Sequence, residues 1–177
     1  MKSSELAPMS STSRLSALTS PSSIARLSAT QARTFSKIHG MAGARAGFIL
    51  AHPDTVAALK PWQAWPNAGM GTVTLAGALT AMDDHEFMDM TRRKNAEVRD
   101  TVSRELGRLG IRVIPSHTSF IYYDTAVLRT DLAAACTEAN ILGVRTYEDG
   151  TSWRRTSLGT MDEMERFLEV VRKVAAG

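Results

Sequence analysis

Between Arg33 and Gly47 the chain reads Arg33-Thr34-Phe35-Ser36-Lys37-Ile38-His39-Gly40-Met41-Ala42-Gly43-Ala44-Arg45-Ala46-Gly47, and no other stretch limits its fold as much. Gly40, Gly43 and Gly47 give the backbone freedom that a close approach by another group requires. The run Gly47-Phe48-Ile49-Leu50-Ala51 that follows is short, apolar and bounded by Pro53, the pattern of a strand. A loop at the mouth of a strand thus carries the Ser36 hydroxyl, the Lys37 amine and the Arg45 guanidinium within ten positions. A lysine amine is the group that condenses with carbonyl compounds, and a planar guanidinium donates two parallel hydrogen bonds to a phosphate.

From Ala32 onward the pattern is that of an α/β protein. Asp54 begins a helix through about Lys60, closed by Pro61, and Gly69 and Gly71 flank a loop that opens a small-residue helix from Thr72 to Met82. Asp83 or Asp84 caps a longer helix to about Leu109. In it Phe87, Met90, Ala96 or Val98, Thr101 or Val102, and Leu106 recur at helical spacing, which predicts Met88 and Met90 as core filling and Gly110 as a left-handed cap. Strands are predicted at Ile111–Ile114 and Phe120–Tyr123, with a helix capped by Thr130 from Asp131 to about Ala139. Further strands follow at Val144–Thr146 and Trp153–Leu158, and Thr160 and Glu163 form a capping box for the last helix. This β-β-α-β-β-α order predicts an α+β domain with helices on one face of a mostly antiparallel sheet.

Residues 1–31 differ in kind: about a third are serine, with one acid at Glu5, and they are expected to be disordered or aberrant rather than packed. The domain reading is therefore a serine-rich 1–31, a first α/β part over 32–110 and a small α+β domain over 111–177. The 177 residues suffice for one domain with a real core, and 44% hydrophobic with 22% charged residues is ordinary for a globular chain. A net charge of +3 with acids interleaved among the bases, as in Arg92-Arg93-Lys94-Asn95-Ala96-Glu97, argues against a nucleic-acid footprint. No apolar run reaches the roughly 18–20 residues of a membrane helix, so no membrane span is expected. The single Cys136 excludes an intrachain disulfide framework and offers no metal-ligand set, which fits a reducing, cytoplasmic setting.

The loop segment resembles the Ser-Lys-x-x-Gly-x-Ala-Gly-x-Arg-x-Gly signature of fold-type I, pyridoxal-phosphate (PLP) dependent aminotransferases of class I/II, with every fixed position matched and histidinol-phosphate aminotransferases among the group. The resemblance spans about residues 32–177 and implies the carboxyl-terminal part of the cofactor-binding large domain followed by the small domain. It implies that Lys37 binds the cofactor covalently and later carries the transferred proton, and that Ser36 and Arg45 hold the cofactor phosphate. It also implies PLP as the cofactor, amino-acid and keto-acid substrates, and a homodimer for the full-length family.

A second likeness, to the Leu-Arg-Ile-Thr-Val-Gly-Thr that precedes the family's last helix, falls on Arg154-Arg155-Thr156-Ser157-Leu158-Gly159-Thr160. It puts the arginine that grips the substrate carboxylate at Arg155. Arg154 is the competing candidate if the strand slips by one residue. Arg145 resembles a family arginine before the substrate-facing loop. His39 stands where the family often has tyrosine, and reads as a hydrogen-bonded loop histidine; Trp62 and Trp65 roof a pocket or, more commonly for such residues, bury a helix end. Thr118-Ser119-Phe120 departs from the histidinol-phosphate pattern Ala-Asn-Phe. Residues 1–32 hold no Asp, Asn, Tyr or other aromatic side chain. The family's upstream cofactor contacts therefore have no counterpart there, and the chain alone is expected to be an incomplete, inactive fragment. A same-fold PLP-dependent decarboxylase and a non-catalytic truncated product remain as alternatives.

Overall fold

The computed structural model describes residues 30–62, 69–146 and 150–177. Contacts divide the chain into two compact units, 1–89 and 90–177. Most of residues 1–31, and Trp65, lie outside the described residues, so the readings made of them rest on sequence alone.

In the first unit, strand β1 (Gln31–Thr34) pairs antiparallel with β2 (Gly47–Leu50), in a register that sets Thr34 opposite Gly47. A Cβ on Gly47 would lie 2.8 Å from the Arg33 carbonyl oxygen, so the close approach of the two strands admits only glycine there. Helix α1 (Pro53–Leu59) starts with proline in its first turn, and the His52 Nδ1 accepts from the Asp54 backbone N–H at 3.3 Å. Beyond Leu59 a single 3-10 turn, Lys60–Trp62, includes Pro61 rather than stopping before it. Trp62 is 86% exposed, so it neither roofs a pocket nor buries a helix end. Helix α2 (Thr72–Asp83) has no charge before its last residue and is apolar around most of its circumference, yet only Ala78 is buried. The core here is small: Phe35, Ala46 and Ala78, with Met41, Phe48, Ala81 and Met82 against them.

Helix α3 (His85–Arg108) begins where the Asp84 carboxylate accepts the Phe87 N–H at 3.0 Å. It ends at a left-handed Gly110 (φ 77°), with the Ile111 N–H returning to the Leu106 carbonyl at 3.0 Å. Its buried positions are Val98, Val102 and Leu106. Phe87 is 38% exposed and Met90 half-buried, so the first turns are not the core filling that periodicity suggested.

The second unit holds a four-stranded antiparallel sheet in the order β3-β4-β6-β5, from β3 (Arg112–Val113), β4 (Phe120–Asp124), β5 (Val144–Thr146) and β6 (Trp153–Ser157). Helix α4 (Leu132–Glu138) is capped by Asp131, whose side chain accepts from the Ala133 N–H, one residue later than expected. Its end is marked by Asn140 at φ 58°, with the Ile141 N–H bonded to the Cys136 carbonyl at 2.8 Å. Helix α5 (Met161–Ala176) carries the expected capping box between Thr160 and Glu163. Ile121 and Tyr123 from β4 meet Leu132 and Cys136 from α4 and Met164, Phe167, Leu168 and Val171 from α5 in one buried cluster. Strand alternation then sends Phe120, Tyr122 and Asp124 to the other face of the sheet.

Candidate active site

The loop that joins β1 to β2 is closed by three backbone hydrogen bonds. The Phe35 N–H reaches the Ala46 carbonyl at 3.1 Å, the Met41 N–H the Phe35 carbonyl at 3.0 Å, and the Gly40 N–H the Lys37 carbonyl at 2.9 Å. The last closes a turn from Lys37 to Gly40, whose φ of 67° is a glycine conformation. Ser36 donates its backbone N–H to the Thr34 hydroxyl at 3.1 Å. Lys37 is exposed, and its amine has no partner among the described residues. After a short 3-10 turn, Ala42–Ala44, Arg45 sits at φ 54°, ψ 41°, a left-handed conformation that costs a side-chain-bearing residue about 1–2 kcal/mol. Its guanidinium donates to the Ala42 carbonyl at 2.9 Å and has further N–H donors to offer.

Ser36, Lys37 and Arg45 thus share one short loop held by backbone bonds and by Phe35, which is 4% exposed. An exposed amine at a tight turn, a hydroxyl beside it and a cation held in a strained conformation form a donor set suited to a phosphate-bearing carbonyl compound.

In the second unit, register decides which arginines face together. Arg155 stands opposite Tyr122 on β4 and opposite Arg145 on β5, whereas Arg154 stands opposite Tyr123 and Thr146. Tyr123 is fully buried and its hydroxyl bonds that of Thr156 at 2.8 Å, so Arg154 and Thr156 belong to the helix-covered face. The Arg154 guanidinium donates at 2.6 Å to the Thr151 carbonyl and at 3.0 Å to that of Trp153. On the other face the Arg155 guanidinium lies 4.1 Å from the centre of the Phe120 ring. Trp153 stacks on Tyr122 at 4.9 Å and 19°, and Arg112 lies over Trp153 at 5.5 Å. Like charges directly opposed across strands are destabilising, so Arg145 and Arg155 concentrate positive charge on this face.

The aromatic members of this face were not singled out from sequence, although the alternation Phe120/Tyr122 and Trp153/Arg155 was available as a signal. Cys136 is buried, and burial pushes its thiol up to about 11, so it is not a nucleophile near neutral pH. Among the described residues no cluster of His, Cys, Asp and Glu is placed to hold a metal ion, and no helix is long and apolar enough to cross a membrane.

The family model of aminotransferase class I and II matches residues 14–171. That match starts upstream of Ala32, so the likeness reaches into the serine-rich segment. The chain is 31% identical over 144 residues to histidinol-phosphate aminotransferase 1 of Dechloromonas aromatica, covering 80% of this chain and 38% of that protein. It is 32% identical over 142 residues to the aromatic amino acid aminotransferase of Mycobacterium tuberculosis, covering 80% and 38%. Among solved structures, the histidinol-phosphate aminotransferase of Sinorhizobium meliloti in complex with pyridoxal-5'-phosphate superposes with a TM-score of 0.68 at 26% identity, covering 83% of this chain and 41% of that one. The chain therefore has the α/β fold of these enzymes over about two fifths of their length.

Proposed function

The chain belongs to the class I and II aminotransferase family, and on that premise we propose that it serves PLP-dependent transfer of an amino group between an amino acid or amino phosphate and a keto acid. The observation that carries this reading is the Lys37 loop. Its amine is exposed at a turn, and Arg45, left-handed at its backbone and bonded through its guanidinium to the Ala42 carbonyl, lies in the same hydrogen-bonded loop.

In this reading Lys37 would hold the cofactor through its Nζ, and the same amine would take up and return the proton of the substrate Cα. Ser36 and Arg45 bind the phosphate, Arg45 through the parallel donors of its fork. When bound, PLP supplies an electron sink for the charge that develops at Cα. Arg155, oriented by the Phe120 ring beneath it, receives the substrate carboxylate, and Arg145 opposite it adds a second positive charge for an acidic or phosphorylated side chain. Residues 32–110 then belong to the cofactor-binding large domain and 111–177 to the small domain, in a homodimeric cytoplasmic protein. The apolar exposure around Val73 and Leu75 supports association.

The test is covalent trapping. Incubation with PLP followed by borohydride reduction should place a stable label on Lys37, located by mass spectrometry, and Lys37→Ala should abolish it. In the chain alone the label should be weak, and in a chimera joining residues 32–177 to a complete amino-terminal half of a relative it should be stoichiometric. Label spread evenly over Lys60, Lys94 and Lys173 in that chimera would overturn the reading.

A further inference from the structure

His39 lies within the turn that begins at Lys37, and its ring is the one polar side chain of that turn tied to another element of the unit. Its Nδ1 is 3.1 Å from the Ala81 carbonyl oxygen. A carbonyl can only accept, so Nδ1 carries the proton and donates. Ala81 is in the last turn of α2, where the final carbonyls have no partner within the helix, so the bond satisfies a group that the helix leaves open. The ring also packs on buried Phe35, with centroids 4.8 Å apart and planes at 35°. Two neighbouring contacts reach the same side of α2. Met41 Cε would be 3.2 Å from a Cβ placed on Gly77, and Ala78 is in the core cluster with Phe35. Gly77 and Ala81 are four residues apart and so share a helix face.

Resting on the reading of Lys37 as the cofactor lysine, we propose that His39 is a positioning residue: its Nδ1–H donates to the end of α2 and thereby fixes the orientation of the Lys37–Gly40 turn from which the amine is presented. The backbone bonds of the loop close the turn on itself, and apolar packing by Phe35 and Met41 against α2 is non-directional. The His39 bond, two residues after Lys37, is the directional tie from the turn to α2.

Two substitutions separate the donor from the ring. His39→Phe keeps a ring to pack on Phe35 and loses the donor. His39→Asn keeps a donor near the position of Nδ1 and loses the ring. In the chimera described above, treated with PLP and borohydride, label on Lys37 relative to Lys60, Lys94 and Lys173 should fall about five- to tenfold in His39→Phe, the worth of one hydrogen bond. His39→Asn should restore it to within about twofold of the unsubstituted protein. Equal labelling in His39→Phe, or a loss in His39→Asn as deep as in His39→Phe, would overturn the proposal.

Hydrogen exchange without cofactor gives an independent check. The Gly40 and Met41 amides should exchange about five- to tenfold faster in His39→Phe and be restored in His39→Asn; unchanged exchange refutes the anchor. Should the unsubstituted chimera label its lysines evenly while these amides respond as expected, the anchor stands and it is the cofactor reading that fails.

Discussion

The two units of this chain contrast in how far their apolar surface is covered. In the second, twelve residues from α3, Ile111, the sheet, α4 and α5 close into one buried cluster, and in the sheet and α5 alone four of them, Ile121, Tyr123, Leu168 and Val171, are at 0% exposure. In the first, one phenylalanine and two alanines make the cluster, while Val73 at 87% and Leu75 at 44% are exposed on a helix with almost no charge. A helix apolar on all sides is normally enclosed. The lesson is that the small α+β unit satisfies its own hydrophobic demand, whereas the unit bearing Lys37 has its loop well ordered by hydrogen bonds and its helices under-covered.

The largest effect should come from the closed core. Phe167→Ala removes a ring that meets Tyr123 edge-on at 6.3 Å, and should cost about 3–5 kcal/mol in urea denaturation followed by circular dichroism. A loss below about 1 kcal/mol would mean that the second unit is no better packed than the first.

Next in size is a functional split between the units. In the chimera described above, Arg155→Lys should raise KM for the amino-acid substrate about 10- to 100-fold, because an ammonium cannot reproduce the bidentate fork. Borohydride labelling of Lys37 should be unchanged. If Arg154→Lys produced this effect instead, the register that separates the two arginines onto opposite faces would be wrong.

These arginines also show what could be read beforehand. Sequence indicated Arg155 by its likeness to a family motif but left Arg154 open, because period-2 alternation alone does not say which face is covered; pairing of Tyr123 with Arg154 settles that geometry. Long amphipathic helices, the Gly110 cap and the Thr160–Glu163 capping box were legible because each depends on local chemistry. Strand β1 was not, since its four residues are all exposed and carry no alternation, and it forms only by pairing with β2. The helix α4 cap was misplaced by one residue because Thr130 and Asp131 are both good capping residues and only the backbone distinguishes them. The tie from His39 to Ala81 spans 42 positions, a separation at which no sequence spacing rule operates.

A smaller effect is expected at the start of α5. Thr160→Ala should cost about 1 kcal/mol of stability. The Thr160 backbone N–H, and then its hydroxyl, hold the Glu163 carboxyl below its ordinary value of 4.5. A carboxylate with a lowered folded-state value stabilises above its unfolded-state value, and that contribution disappears as pH falls through the folded-state value. Melting temperature should therefore drop on acidification through and below the ordinary carboxylate range, and Glu163→Gln should flatten that part of the profile. An unaltered profile would show that the box contributes nothing.

The smallest change in stability, within about 0.5 kcal/mol, should accompany Val73→Glu, because the site is exposed. Self-association by light scattering should nevertheless fall. If it did not, the uncovered apolar surface of the first unit would not be what drives association.

Arg45 illustrates how selection for persistence and selection for chemistry diverge. At φ 54° a glycine would be the least strained occupant, and Arg45→Gly is the change that a search for tougher variants would favour. Such a search would discard the only side chain of that turn able to offer a phosphate a planar pair of donors. On the proposed reading a bulky cation in a glycine-shaped position serves binding rather than durability, and improvement by stability alone would lead this chain away from its proposed cofactor.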